Sequence, residues 1–139
     1  MTSPQPTVWP ALRYDDAPAA LRFLIDVFGF RETLVVPGDS PDGPADIVHA
    51  ELRWPDGGGV MFGSTKYCEG VHAAMSAGVS TVYVVAGTAD QVDAVHARCL
   101  AAGARIASDL EDTEYGSHAF TALDPEGNQW TFGTYRGAP

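Results

Sequence analysis

Two segments of this chain close in the same way. Val60-Met61-Phe62-Gly63-Ser64 follows the tight turn Pro55-Asp56-Gly57-Gly58-Gly59, and Trp130-Thr131-Phe132-Gly133-Thr134 follows Asp124-Pro125-Glu126-Gly127-Asn128. Upstream of each lie an apolar strand-like run, an Ala-rich helical stretch, and then Gly29-Phe30-Arg31 or Gly103-Ala104-Arg105. A repeat that takes half of 139 residues is too long for a solenoid and implies two copies of one supersecondary unit. Neither copy buries its apolar face alone. The two must share a core, and the surface between them is the natural place for a ligand.

Reading along the chain fills in the unit. Thr7 to Tyr14 reads as a strand, and Asp15-Asp16-Ala17-Pro18 as a helix start with proline in the first turn. Leu21, Leu24, Ile25 and Phe28 recur at helical spacing until Gly29. Thr33 to Val36 is a strand running into a loop from Pro37 to Pro44, and Ile47 to Trp54 with Gly59 to Ser64 forms a hairpin. The second half repeats the order with strand Thr81 to Val85, a helix from Ala89 to Ala102, and strands Arg105 to Ser108, His118 to Leu123 and Gln129 to Tyr135. The expected organisation is a single domain over 1–139. A first βαβββ module spans 7–64, a linker with room for a short helix spans 65–78, and a second module spans 79–136. The fold class is α+β with curved, mostly antiparallel sheets.

Composition narrows the function classes. A net charge of −10, with only 8 Lys and Arg, argues against nucleic acid, whose phosphates demand clustered cations. The same charge biases the chain toward cationic ligands at long range. No apolar run approaches the roughly 20 residues of a membrane span, so no membrane association is expected. Met1 to Pro6 lacks the basic start and apolar stretch of a secretory signal, which makes the cytoplasm the default. Cys68 and Cys99 read as free thiols. Ser64, Ser80 and Ser117 lack a nucleophile elbow, and Gly57-Gly58-Gly59 lacks the Lys of a phosphate loop.

The Asp124-Pro125-Glu126-Gly127-Asn128 turn, the Tyr115-Gly116-Ser117 entry to its hairpin and the Leu12-Arg13-Tyr14-Asp15-Asp16 strand exit resemble the vicinal oxygen chelate superfamily. That is the glyoxalase, bleomycin-resistance and extradiol-dioxygenase group. The resemblance covers nearly the whole chain and implies paired βαβββ modules forming a cup, often completed in a homodimer. It also implies a divalent metal held on the first and last strand of each module. Here those positions fall on Trp9, Met61, Ser80 (Thr81 with a one-residue slip) and Thr131. None is a good ligand for a divalent ion, which wants imidazole, carboxylate or thiolate. No metal and no cofactor are therefore expected. His49 and His118 hold about equivalent places in the two halves and are the best residues for a displaced site.

Strand alternation suggests what would line a cup without a metal, because residues two apart share a face. Trp9 and Arg13 fall on one face of the first strand, Thr131 and Tyr135 on one face of the last, and His49 with Glu51 on one face of the third. Adding Met61, and Tyr115 and His118 from the second half, gives a candidate ligand-binding set with an aromatic, adaptable wall. The reading that follows is a metal-free, homodimeric binding protein that sequesters an aromatic or cationic small molecule, as resistance members of the resembling family do. The alternative is a lyase, isomerase or dioxygenase-like enzyme using a displaced metal or a His/Glu acid–base pair.

Overall fold

The computed structural model describes residues 4–39 and 46–139. Eight strands form two four-stranded sheets. The first holds β1 (Ala11–Tyr14), β2 (Arg31–Pro37), β3 (Ile47–Arg53) and β4 (Gly59–Ser64) in the order β1-β4-β3-β2. The second holds β5 (Thr81–Val85), β6 (Ile106–Asp112), β7 (His118–Leu123) and β8 (Gln129–Gly133) in the order β5-β8-β7-β6. β1 and β5 run parallel to β4 and β8, and the remaining pairs are antiparallel. The fold class is α+β, with one topology used twice.

Local chemistry sets the helices. In α1 (Ala17–Phe23) the Asp16 side chain accepts from Ala19 N at 3.2 Å, and Pro18 sits in the first turn, where its missing N–H costs nothing. The helix then widens into a π-turn over Leu24–Phe28, and Gly29 ends it at φ 94°, a conformation glycine adopts without a Cβ clash. In α2 (Ala89–Ala101) the Thr88 side chain accepts from Gln91 N at 3.1 Å. Val92, Val95 and Cys99 of α2 are fully buried on one helical face.

The first strand begins at Ala11 rather than Thr7. Pro6 and Pro10 have no N–H to give a ladder, and only the Pro10 carbonyl takes part, accepting from Met61 N at 2.9 Å. β6 extends to Asp112, past Ser108, because its partner β7 continues opposite it as far as His118. The last strand stops at Gly133, short of Tyr135. Between the sheets, Thr65–Tyr67 and Gly70–Ala74 form two 3₁₀ turns. Of the loop expected over Pro37–Pro44, residues 40–45 lie outside the described residues.

The two halves share one core. Phe28, from the π-turn, meets Trp130 and Phe132 of β8 at ring-centroid distances of 5.4 and 4.8 Å. Trp54 sits 5.7 Å from Phe132 and donates Nε1–H to Val85 O at 2.7 Å. Arg98 of α2 donates to the carbonyls of Val27 and Phe28, satisfying the end of the π-turn. Burial of large aromatics contributes roughly 1.5–3 kcal/mol each, so this seam dominates what holds the halves together.

A polar latch reinforces the seam. Asp124 is buried at 3% exposure, with Oδ2 accepting from Tyr14 OH at 2.6 Å, Asn128 Nδ2 at 2.9 Å and Trp130 Nε1 at 3.0 Å. Its Oδ1 accepts from the backbone N–H of Glu126 and of Asn128. Glu126 reaches back so that its two carboxylate oxygens accept from Asp15 N and Asp16 N at 2.8 and 2.9 Å, at the entry to α1. The acidic-Pro-acidic-Gly-Asn turn therefore ties the second sheet to β1. Burial, followed by the adjacent Asp124 charge, pushes the Tyr14 hydroxyl far above its usual range and keeps it a donor.

Candidate functional site

Each sheet buries one face under the helices and leaves the other half-exposed. On the first sheet that outer face carries Arg13 of β1, Glu51 and Arg53 of β3, and Met61 of β4, with Glu51 directly opposite Met61. Trp9 precedes β1 and lays its ring on Gly59, where an added Cβ would fall 2.7 Å from Trp9 Cζ3. A side chain at residue 59 would push the indole away. Gln5, Pro6, Trp9, Thr33, Glu51, Arg53 and Met61 together line a cavity of about 260 Å³.

Polar contacts on this outer face are only partly satisfied. His49 Nε2 and Glu51 Oε2 are 2.7 Å apart, a carboxylate–imidazole pair two residues along one strand. Arg53 donates from Nη2 to Pro4 O at 2.9 Å, whereas its Nε is buried with no partner among the described residues. Arg13 donates from Nη1 to the carbonyl of His72, which draws the segment between the sheets against β1.

The outer face of the second sheet is built from tyrosine and threonine. Thr121 and Thr131 stand opposite each other with their hydroxyls 2.7 Å apart. Tyr83, opposite Thr131 on β5, donates its OH to Tyr135 O at 2.8 Å, and Tyr115 packs edge-on to Tyr135 at 5.4 Å. Tyr83, Val85, Tyr115, Tyr135, Arg136 and Gly137 line a cavity of about 400 Å³. A third cavity of about 390 Å³ opens where the halves meet, against Val8, Trp54, the Gly57–Gly59 turn and β5.

The candidate residues therefore fall into two groups rather than one. Trp9, Glu51 and Met61 share a cavity, with His49 and Arg13 on the same outer face. Tyr115 and Tyr135 share another, with Thr131 on the sheet beside them. His118 belongs to neither. The ladders align Ala50 with Phe62 and Phe120 with Phe132, so the counterpart of His49 is Ala119, and His118 is one residue out of register. One residue reverses the face. His118 instead meets Asp93 of α2 through Nε2 at 2.7 Å and Asp112 of β6 through Nδ1 at 2.8 Å. Those bonds, to Asp93 first and Asp112 second, raise its pKa. A symmetric His49–His118 pair across a cup does not exist within this chain.

Sequence reasoning passed over Tyr83 and Arg136, whereas alternation already puts Arg53 on one face with His49 and Glu51. The first was findable: Tyr83 stands two residues before Val85 on a strand whose Val84 faces the core, and alternation assigns it outward. Arg136 follows the last strand and has no periodicity to read.

The donor set does not fit a divalent metal. A thioether, an indole and hydroxyls at Met61, Trp9, Thr131, Ser80 and Thr81 supply neither imidazole nor carboxylate. Glu51 and His49 are two adjacent donors already bonded to each other. Among the described residues no three His, Cys, Asp or Glu side chains converge on one point.

Two copies of one mixed sheet, each with a half-exposed outer face carrying a cavity, define the paired-βαβββ class of small-molecule cups. The family described as the glyoxalase/bleomycin resistance protein/dioxygenase superfamily matches residues 7–132, and the chain belongs to it. An uncharacterized Mycobacterium bovis protein, Mb0911c, is 34% identical over 131 residues, 93% of this chain and 83% of the relative. The Mycobacterium tuberculosis protein Rv0887c, also uncharacterized, shows the same identity over 93% of this chain and 74% of its own. The crystal structure of TioX from Micromonospora sp. ML1 superposes with a TM-score of 0.71 at 32% identity, covering 91% of this chain and 97% of that one. A lactoylglutathione lyase from Agrobacterium tumefaciens shares the fold, with a TM-score of 0.67 at 20% identity over 95% of each chain. Among the described residues no helix is long and apolar enough to cross a membrane.

Proposed function

We propose that this protein binds an aromatic small molecule without a metal, in cups completed by a second copy of the chain. The observation that carries the reading is the separation of the two outer faces. Trp9 and Met61 line one cavity and the three tyrosines another, while the shared core and the Asp124 latch fix the halves in place. Within one chain neither of these two cavities is lined by residues of both outer faces. Pairing the first-half face of one protomer with the second-half face of its partner encloses both, and closed two-fold association is the commonest route for soluble oligomers. Trp9, Tyr83, Tyr115 and Tyr135 then supply flat apolar walls, and Met61 an adaptable one. Sequestration of an aromatic natural product follows from such a cup, in keeping with the resistance members of the superfamily.

Complementation tests this directly. Trp9→Ala and Tyr83→Ala each remove one wall, so each homodimer should lose binding of a fluorescent polycyclic probe. Mixed and re-annealed, the two variants form heterodimers with one intact and one doubly altered cup, so half the sites of the purified heterodimer should return. If binding stays absent in a verified heterodimer, or the chain sediments as a monomer at micromolar concentration, the reading fails.

The His49–Glu51 pair favours one further reading. A carboxylate that orients an imidazole on a ligand-facing surface is the arrangement of a general base, and here it would act without a metal. Turnover of a bound ligand lost in His49→Gln, with binding intact, would support it, and equal turnover would exclude it.

A further inference from the structure

The proposed cup leaves open which charge its ligand carries, and the first-half cavity bears on that. We infer that this cavity reads a carboxylate on its aromatic ligand through Arg53, an inference that rests on the small-molecule reading above. Three observations converge on it.

The first is the unpartnered donor. Arg53 Nε is buried in a wall of the cavity and no described residue accepts from it. Leaving a buried donor unpaired on a charged group is costly, so such an atom in a native fold calls for a partner. Arg53 holds only the carbonyl of Pro4, at 2.9 Å from Nη2. A guanidinium fork bonded to one neutral oxygen has half of what it is shaped for. A carboxylate supplies two oxygens in the plane of the fork and a full negative charge.

The second is an unbalanced pair of cations. Arg31 of β2 lies directly opposite Arg53 of β3 in the ladder. Like charges directly opposite on neighbouring strands destabilise a sheet. Among the described residues neither arginine forms an ion pair, although the chain carries 18 acidic side chains. Two of only 8 cationic Lys and Arg residues thus stand opposite each other in the ladder with no ion-pair partner among the described residues. An anion from outside resolves the repulsion. The carboxylate nearest along β3, that of Glu51, is bonded to His49 Nε2 instead, and Glu32 of β2 is exposed opposite buried Leu52.

The third is the company Arg53 keeps. Trp9, Pro6 and Met61 form the apolar part of the cavity wall, a flat aromatic, a ring and a thioether, and Gln5, Thr33 and Glu51, whose carboxylate is held by His49, complete it. An aromatic body against Trp9 with its acid group at Arg53 uses both halves of the site. Gln5 and Pro6 lie over the same cavity and Pro4 O occupies the fork, so a bound carboxylate takes the place of that carbonyl. This local preference opposes the long-range bias of a chain with net charge −10, and at contact distance the adjacent guanidinium decides.

Isothermal titration of the full chain with three naphthyl probes of different head-group charge tests the inference: 1-naphthylacetate, its near-isostere 1-naphthylacetamide, and 1-naphthylmethylammonium. The acetate should bind roughly ten- to a hundredfold more tightly than the amide, the range expected for a charge-assisted hydrogen bond, and the ammonium more weakly still. Arg53→Gln should bring acetate and amide to the same affinity. Arg53→Lys, which keeps the charge but not the fork, should retain part of the preference and serves as the deciding variant if the glutamine form does not fold. Amide or ammonium binding as tightly as acetate overturns the carboxylate inference and leaves the small-molecule reading standing. An acetate preference that survives in Arg53→Gln places the anion elsewhere and overturns it too. No binding by any probe at millimolar concentration removes both readings together.

Discussion

Tyr14→Phe isolates one of the bonds that join the two halves. The substitution keeps the ring, which is buried and packs edge-on to Phe62 at 5.2 Å, so it opens no cavity worth counting. It deletes only the hydroxyl that donates to Asp124 at 2.6 Å. A buried carboxylate then keeps four of its five donors, those of Asn128 Nδ2, Trp130 Nε1 and the two backbone N–H groups. Hydrogen bonds to charged groups contribute about 1.5–3 kcal/mol, and a burial this complete, at 3% exposure, puts the expected loss in the upper part of that range. Urea unfolding followed by tryptophan fluorescence reads the loss as a lower midpoint at unchanged slope. At this chain length each kcal/mol lowers the melting temperature by roughly 3–4 °C. Asp124→Ala should cost more than Tyr14→Phe, because it strands the indole, amide and hydroxyl donors at once. A Tyr14→Phe protein within about 0.5 kcal/mol of wild type would refute the reasoning, as would an Asp124→Ala protein no worse than Tyr14→Phe.

Two other outcomes follow from the side chains around α2. The imidazole of His118 has a folded pKa raised by its bonds to Asp93 and Asp112, so its stabilising contribution is complete below the unfolded value near 6.5 and is lost as pH rises through the higher folded value. Stability of the wild type should therefore fall between those limits relative to His118→Gln, and parallel curves for the two proteins would contradict the assignment. Burial pushes the Cys99 thiol up to about 11 and shuts it off from solvent, whereas Cys68 is partly exposed. One thiol should react quickly with an aromatic disulfide reagent at pH 8 and the second only on unfolding, and two fast thiols would count against the packing of α2.

Much of the architecture was legible because turns and alternation are local. The bounds of β4, β5 and β7 follow from glycine-bearing turns and apolar alternation, and Leu12, Tyr14, Trp130 and Phe132 face inward as alternation requires. The ends of β1 and β6 were not legible. One depends on which prolines interrupt a ladder, the other on how far a partner strand continues. The misplacement of His118 has a sharper cause. His49 and His118 each precede an alanine, but Ala50 pairs with the central phenylalanine of β4 while Ala119 pairs with the glycine after the matching phenylalanine of β8. Register is a pairing property, and no single strand contains it. The orphaned nitrogen of Arg53 likewise depends on where the chain around Pro4 comes to rest, which no periodicity encodes.

The widened turn at Leu24–Phe28 acts as a one-tooth offset in the helix. Both Gly29 N and Phe30 N donate to the carbonyl of Leu24, so the backbone holds one residue more than a regular turn would. Each residue advances a helix by about 100° around its axis, and that extra step aims Phe28 across the boundary at Trp130 and Phe132. A regular turn would rotate the ring away from that boundary and lose the aromatic bridge. The two repeats would then rest on Trp54 and the Asp124 latch without that bridge, and the spacing between their outer faces would be held by fewer contacts.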